Sequence, residues 1–268
     1  MLRTRLLSAL IGIPMVIIFA YLGGLPWLAG VMLVGGAAWL ELSRLLRSDG
    51  GAAYVSPGMA FVLAAILAAY LESRVDLPFH VLGLLISAFI ILSLAWALWD
   101  RGPRPVTSWA FTLGGAVYLG VLASFLVGLR ERSDGLLWLS LAIALTWTND
   151  SMAFFTGRAI GKHKMFPRLS PKKTWEGFAG GLIATVVVAV AALALLLDLS
   201  PWLGVVLGAI VSIVGPIGDL SVSMFKRAAN AKDSGNLIPG HGGILDRLDS
   251  LLFVLPVVAY FALIVTGK

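Results

Sequence analysis

The sequence predicts an all-α, polytopic integral membrane protein with about nine transmembrane helices and a cytoplasmic N-terminus. Three observations carry this. Hydrophobic residues fill 59% of the 268 positions and charged residues only 13%, with a mean hydropathy of +0.94, far more apolar than soluble domains. The apolar residues gather in long, continuous, Leu- and Ala-rich runs, whereas outer-membrane strands would alternate over about ten positions. Lys and Arg fall almost entirely on one side of those runs. The same composition sets aside disorder, and it sets aside nucleic-acid binding despite a charge of +6 and a pI near 9.8, since the bases would need one wet face on an apolar chain. With no cysteine, disulfides and thiolate metal sites are excluded.

The runs follow in order. Residues 6–22 come after Arg3 and Arg5 and imitate a signal peptide, but no small-residue cleavage site follows, so they read as a retained first helix. Next come 27–46, then 59–71, which is short for a full span, then 79–99 and 109–129. The sixth, 136–156, contains Asn149 and Asp150; the last three are 178–197, 202–224 and 251–265. Alternating sides places sixteen of the 20 bases with the N-terminus and leaves Arg74, Arg130, Arg132 and Lys268 opposite. Removing one internal span would scramble that division. Most connections are short, but 157–177 and 225–250 are long, charged and on the cytoplasmic side. No repeat or linker separates a soluble domain, so residues 1–268 read as one membrane-embedded unit, with N-terminal helices over 1–140 and the chemistry over 141–268.

An acid inside hydrocarbon costs about 2.5–3.5 kcal/mol and normally faces a cavity, a cation or a base. Asp150, near Thr146, Thr148 and Asn149, is one such acid, and its functional reading stands close to that of a packing hydrogen bond. Asp219 is another. If the eighth helix continues past the membrane surface, Asp219, Ser223, Lys226 and Asn230 share a face with Arg227 beside them. Snorkelling accounts for the two bases but not for Asp219 and Ser223. Beyond them lie Lys232-Asp233-Ser234-Gly235 and Leu237-Ile238-Pro239-Gly240-His241-Gly242-Gly243, whose glycines before the last helix suggest amides aimed at phosphate. Asp246 and Asp249 follow one turn apart around Arg247, an arrangement suited to a hard cation; a capped, salt-bridged helix start is the plainer alternative. His241 fits a phosphate contact, a proton donor or a loop residue bonded to backbone.

In the other long loop, Gly157 to Lys162 imitates a phosphate loop but fails, because only three residues separate the glycines and His163 stands where a hydroxyl is needed. More informative is Ser170-Pro171-Lys172-Lys173-Thr174-Trp175-Glu176-Gly177, in which Lys172 and Lys173 would attract phosphate. A positive-inside flank explains those charges but not Glu176.

The run from Ser223 through Lys226-Arg227, Lys232-Asp233-Ser234-Gly235 and the glycine loop to Asp246-Arg247-Leu248-Asp249 resembles the signature of the phosphatidate cytidylyltransferases, with no departure from it. The segments Asn149-Asp150-Ser151 and Ser170 to Gly177 are similar to further motifs of that family, while the first ~140 residues match only as apolar helices. The resemblance implies transfer of a cytidylyl group from CTP to phosphatidic acid, with Mg²⁺ and room for a second cation, at the cytoplasmic face of a bacterial cell membrane. Such a reaction needs its phosphates screened by acids holding metal and by several bases, with no protein nucleophile. The expected assignment gives Asp219, Asp246 and Asp249 to the metal. Lys226, Arg227, Lys232, Lys172 and Lys173 go to the phosphates, and Asp233, His241, Gly242, Gly243 and Arg247 to further substrate contacts. Asp150 and Ser223 would line the polar cavity. The expected partners are CTP, phosphatidic acid and the bilayer, with no nucleic acid; a homodimer is left open. Two rivals are weighed: a related CTP-using enzyme acting on polyprenols or ether lipids, and an ion-coupled transporter using Asp150 and Asp219, which would predict inverted repeats that this sequence lacks.

Overall fold

A computed structural model of the chain describes residues 2–48, 51–75, 80–238, 240 and 242–267. Among them are nine long helices: α1 (Leu2–Leu22), α2 (Gly24–Leu45), α3 (Val55–Glu72), α4 (Val81–Leu98), α5 (Pro105–Arg130), α6 (Gly135–Ile160), α7 (Trp175–Leu196), α8 (Pro201–Ala228) and α9 (Leu245–Thr266). Seven of these, α2 to α5 and α7 to α9, are long and apolar enough to cross a membrane. The chain is therefore an all-α, multi-pass membrane protein. The third helix, expected to be short, begins four residues earlier, at Val55, and reaches 18 residues. Two small antiparallel hairpins accompany the helices: β1 (Arg47–Ser48) with β2 (Gly51–Ala52), and β3 (Lys164–Phe166) with β4 (Ser170–Thr174). Phe79, expected to open the fourth span, and Lys268 lie outside the described residues.

The chain divides into two compact units, Met1–Leu136 with Phe225–Arg247, and Leu137–Met224 with Leu248–Lys268. In the first, α2, α3 and α5 build the core around Trp39. This side chain is fully buried, its indole N–H donates to the Val55 carbonyl at 2.8 Å, and any Cβ at Gly58 or Gly115 would collide with it or its neighbour Leu46. Trp27 likewise donates to the Leu126 carbonyl at 2.9 Å. The β1–β2 hairpin is tied to α5 by two backbone donors, Ala52 to Ser108 Oγ at 3.1 Å and Tyr54 to Thr112 Oγ1 at 2.7 Å. At the opposite ends of these helices Glu131 accepts from Arg74 and from the Gly24 amide at 2.8 Å, and the Arg130 guanidinium takes the Ala20 and Tyr21 carbonyls at the close of α1. Those carbonyls have no partner within their own helix, so the arginine acts as a C-cap.

In the second unit, small residues let helices approach. Gly204 and Gly208 on α8 face the backbone of Val190 and Val186 on α7, where a Cβ at Gly208 would stand 2.6 Å from the Val186 Cα. This is the small-xxx-small device of membrane helices, which brings backbones together where hydrocarbon supplies no hydrophobic drive. Gly181 makes room for the buried Asn149 of α6, whose Oδ1 would stand 2.6 Å from a Cβ there. Large apolar side chains such as Ile183, Val187 and Leu195 point outward, as lipid-facing residues do.

Candidate active site

Two groups of charged residues, one in each unit, contain most of the expected site. In the second unit Asp219, on α8, and Asp249, on α9, lie close enough for their carboxyl groups to interact strongly. Asp150 of α6 lies within electrostatic reach of both and faces the Ser250 hydroxyl. Gly218 permits the close approach of α9, since a Cβ there would strike the Asp249 carbonyl. Among the described residues the cation paired with this group is Lys173, whose ammonium pairs with Asp219 and also donates to the Pro216 carbonyl at 3.4 Å. Ser223, also on α8, is buried.

Lys173 reaches Asp219 because it sits on β4. Successive strand residues point to opposite faces, so Lys172 is exposed where Lys173 is half-buried. The sequence treats the two lysines as one pair; the hairpin separates them. Glu176 holds this hairpin. Its carboxylate accepts from the Lys162 amide at 3.1 Å, the His163 amide at 3.2 Å and the His163 ring at 2.6 Å. Thr174 then caps α7 by accepting from the Gly177 amide at 3.1 Å. The glycines that imitate a phosphate loop make room for that cap: a Cβ at Gly157 or Gly161 would stand 2.9 or 2.7 Å from Thr174 Oγ1.

In the first unit Asp246 accepts from several donors. Its Oδ1 takes Lys226 Nζ at 2.6 Å, and its Oδ2 takes the Ser234 amide at 2.8 Å and the Gly243 amide at 3.1 Å, with the Ser234 hydroxyl oxygen 3.0 Å away. The side chains of Lys226 and Asp246 are only 12% and 7% exposed. The next two amides, Ile244 and Leu245, donate to Glu41 of α2 at 3.0 and 2.9 Å. The sequence suggests that amides before the last helix face phosphate; here those of Gly243, Ile244 and Leu245 are bound to carboxylates of the chain itself. Gly240 and Gly242 shape the turn with φ of 79° and 82°, and the Ile238 amide closes it on the Gly242 carbonyl at 3.1 Å.

Asp219, Ser223 and Lys226 all lie within α8, but Asn230 does not join the expected stripe. The helix stops at Ala228, Asn230 adopts φ 51°, and the amides of Asn230 and Ala231 return to the carbonyls of Arg227 and Lys226. That is a Schellman close with asparagine at the left-handed position. Arg227 also donates to the Ala231 carbonyl at 3.1 Å, so it helps end the helix. Lys232, Asp233 and Arg247 are exposed and form no ion pair among the described residues. His241 lies outside the described residues.

Sequence reasoning missed Glu41. The signal was present, because the argument applied to Asp150 and Asp219, an acid within an apolar run, applies equally to position 41.

Among the described residues no three Asp, Glu or His side chains come together in a metal-holding set. A hard cation such as Mg²⁺ asks less of a protein, often one or two carboxylates with the remaining positions taken by water and substrate phosphate. Two abutting carboxyls with one lysine beside them fit that requirement.

Fold and site together define a multi-pass membrane protein with paired acids and bases at its helix ends. The chain belongs to the cytidylyltransferase family, whose model matches residues 3–265. It is 35% identical over 259 residues to the phosphatidate cytidylyltransferase of Staphylococcus haemolyticus, covering 96% of this chain and 97% of that protein. It is 33% identical over the same length to that of Staphylococcus epidermidis, with the same coverage, and 39% identical over 177 residues to that of Staphylococcus saprophyticus, 66% of each chain.

Proposed function

We propose that the chain transfers the cytidylyl group of CTP to phosphatidic acid, giving CDP-diacylglycerol and pyrophosphate. The observation that carries this is the Asp219–Asp249 pair with Lys173 beside it, in a chain whose near-full-length relatives bear the name phosphatidate cytidylyltransferase. An oxygen of the lipid phosphate attacks the α-phosphorus of CTP, one P–O bond forms, and the bond to the β-phosphate breaks with pyrophosphate carrying away the electron pair. No protein nucleophile is needed, so catalysis rests on position and on charge.

Asp219 and Asp249 would hold Mg²⁺, which when bound neutralises phosphate charge as a Lewis acid. Lys173, held by Asp219, stands ready for a phosphate oxygen in the same unit. Asp246 serves first as an organiser, keeping Lys226 and the glycine loop in place; to take a cation it would have to release Lys226. Lys232 and Arg247, exposed and without ion pairs among the described residues, supply charge to the triphosphate or the lipid phosphate. Phosphatidic acid keeps its acyl chains in the bilayer while CTP is water-soluble, so the reading places these helix ends at the cytoplasmic surface of the cell membrane.

The test is incorporation of label from CTP into lipid by purified protein. With phosphatidic acid and Mg²⁺, labelled CDP-diacylglycerol is expected, and chelation should abolish it. No product under those conditions overturns the reading.

A further inference from the structure

Glu41 is 1% exposed and accepts from three donors, the Ser234 hydroxyl at 2.8 Å and the Ile244 and Leu245 amides at 3.0 and 2.9 Å. Two of these stand at the start of α9, Ile244 just before it and Leu245 as its first residue, where the orphan amides and the positive end of the helix dipole favour an anion. A side chain about 200 positions upstream thus performs the task that an N-cap residue usually performs locally. Ser234 links it to the site, because the same hydroxyl also lies 3.0 Å from Asp246 Oδ2.

Glu41 also explains two glycines. A Cβ at Gly235 would collide with Glu41 Oε1, and one at Gly243 would collide with Glu41 Oε2 and Ser234 Oγ. Both glycines are small because the carboxylate occupies the space a side chain would need.

We infer that Glu41 is a positioning residue for cytidylyl transfer: it fixes Ser234 and residues 243–245 so that Asp246 and Lys226 are held in their working arrangement. The inference rests on the function proposed above. Glu41 itself, buried behind the loop, meets no substrate.

Glu41→Gln keeps the length but points an amide donor at donors. With purified full-length enzyme, kcat at saturating CTP and phosphatidic acid should fall about tenfold or more, while KM for the lipid stays within about twofold. Because the chain lacks cysteine, Asn236→Cys reports the loop and Ala159→Cys serves as a control in the other unit. Thiol labelling at 236 should speed up in the Gln variant and labelling at 159 should not. Gly235→Ala should reproduce the Gln phenotype in otherwise wild-type protein, yet add nothing to Glu41→Ala, where the space is already free.

Wild-type kcat and loop labelling in Glu41→Gln would overturn the inference, as would additive effects of Gly235→Ala and Glu41→Ala. Labelling that rises equally at both cysteines would mean general loosening, and would overturn it too. If the wild-type enzyme makes no CDP-diacylglycerol, the functional reading falls, while the labelling pair still decides whether Glu41 orders the loop.

Discussion

Asp246 has both carboxylate oxygens bonded to donors of its own chain, and that changes what its substitution tests. Asp246→Asn removes the charge that holds Lys226, so CDP-diacylglycerol synthesis should fall even at saturating Mg²⁺, with the loop loosened rather than a metal lost. Lys226→Met makes the complementary case. It leaves a buried carboxylate without its cation and should lower stability by about 3–5 kcal/mol, read from thermal unfolding in detergent. Asp219→Asn, by contrast, leaves that network intact and should reduce turnover by about 10²-fold or more while raising the Mg²⁺ needed for half-maximal rate. A pH effect arises outside the membrane helices. Tyr54 donates to Asp100 at 2.7 Å, and this bond, then the Gly102 amide, holds the Asp100 carboxyl below its usual range; burial, then the same bond, pushes the Tyr54 phenol up to about 12. The Asp100 contribution is complete above the ordinary carboxyl range and is lost as pH falls through the lowered value. Tyr54→Phe should therefore flatten the acid limb of a melting-temperature profile. At this scale the acids 150, 219, 246 and 249 were legible because charge in an apolar run, or repeated by one turn, stands out. Glu41 carries the same signal, an acid in an apolar run, but its role was not legible, since its partners lie about 200 positions along the chain and no local spacing announces them.

Elements differ in how plainly they are written. The helices follow from unbroken apolar runs, whose backbone can be satisfied in lipid only by its own hydrogen bonds. The β3–β4 hairpin was invisible because its residues, Ser170-Pro171-Lys172-Lys173, carry no apolar alternation; Glu176 and Thr174 create it through contacts to backbone amides and glycines. Its consequence is an asymmetry between adjacent lysines: Lys173→Ala should cut kcat/KM for CTP far more than Lys172→Ala. Glu176→Gln should weaken the hairpin, seen as faster tryptic cleavage at Lys162 and Lys164. The end of α8 was misjudged for a related reason. Asparagine tolerates the left-handed region, and a helical wheel extended through Asn230 cannot register that. Among the spans, Gly208→Val tests the α7–α8 approach. The added side chain meets backbone, which cannot move aside, so a loss of about 1–3 kcal/mol in detergent stability is expected.

For the whole chain, the composition and the lopsided distribution of bases lead to a multi-pass membrane protein, and the nine described helices and the family assignment agree with that class. The division into two compact units was not legible, because α8 and α9 each run through both and no linker or change of composition marks the boundary. Orientation can be checked directly. Single cysteines at Ala159 and Ala231 should be labelled by an impermeant thiol reagent only from the cytoplasmic side, and one at Ser200 only from the other. The minority bases bear on the same question. Arg74 is matched by Glu131, Arg132 by Asp134 at 3.4 Å, and Arg130 by the carbonyls that end α1. Two of these guanidinium groups are cancelled by carboxylates and the third is tied to backbone, so they exert less long-range pull than free bases. Lys232 and Arg247, exposed and without ion pairs among the described residues, leave positive charge uncancelled that attracts polyanions, and raising ionic strength should slow capture of a triphosphate there.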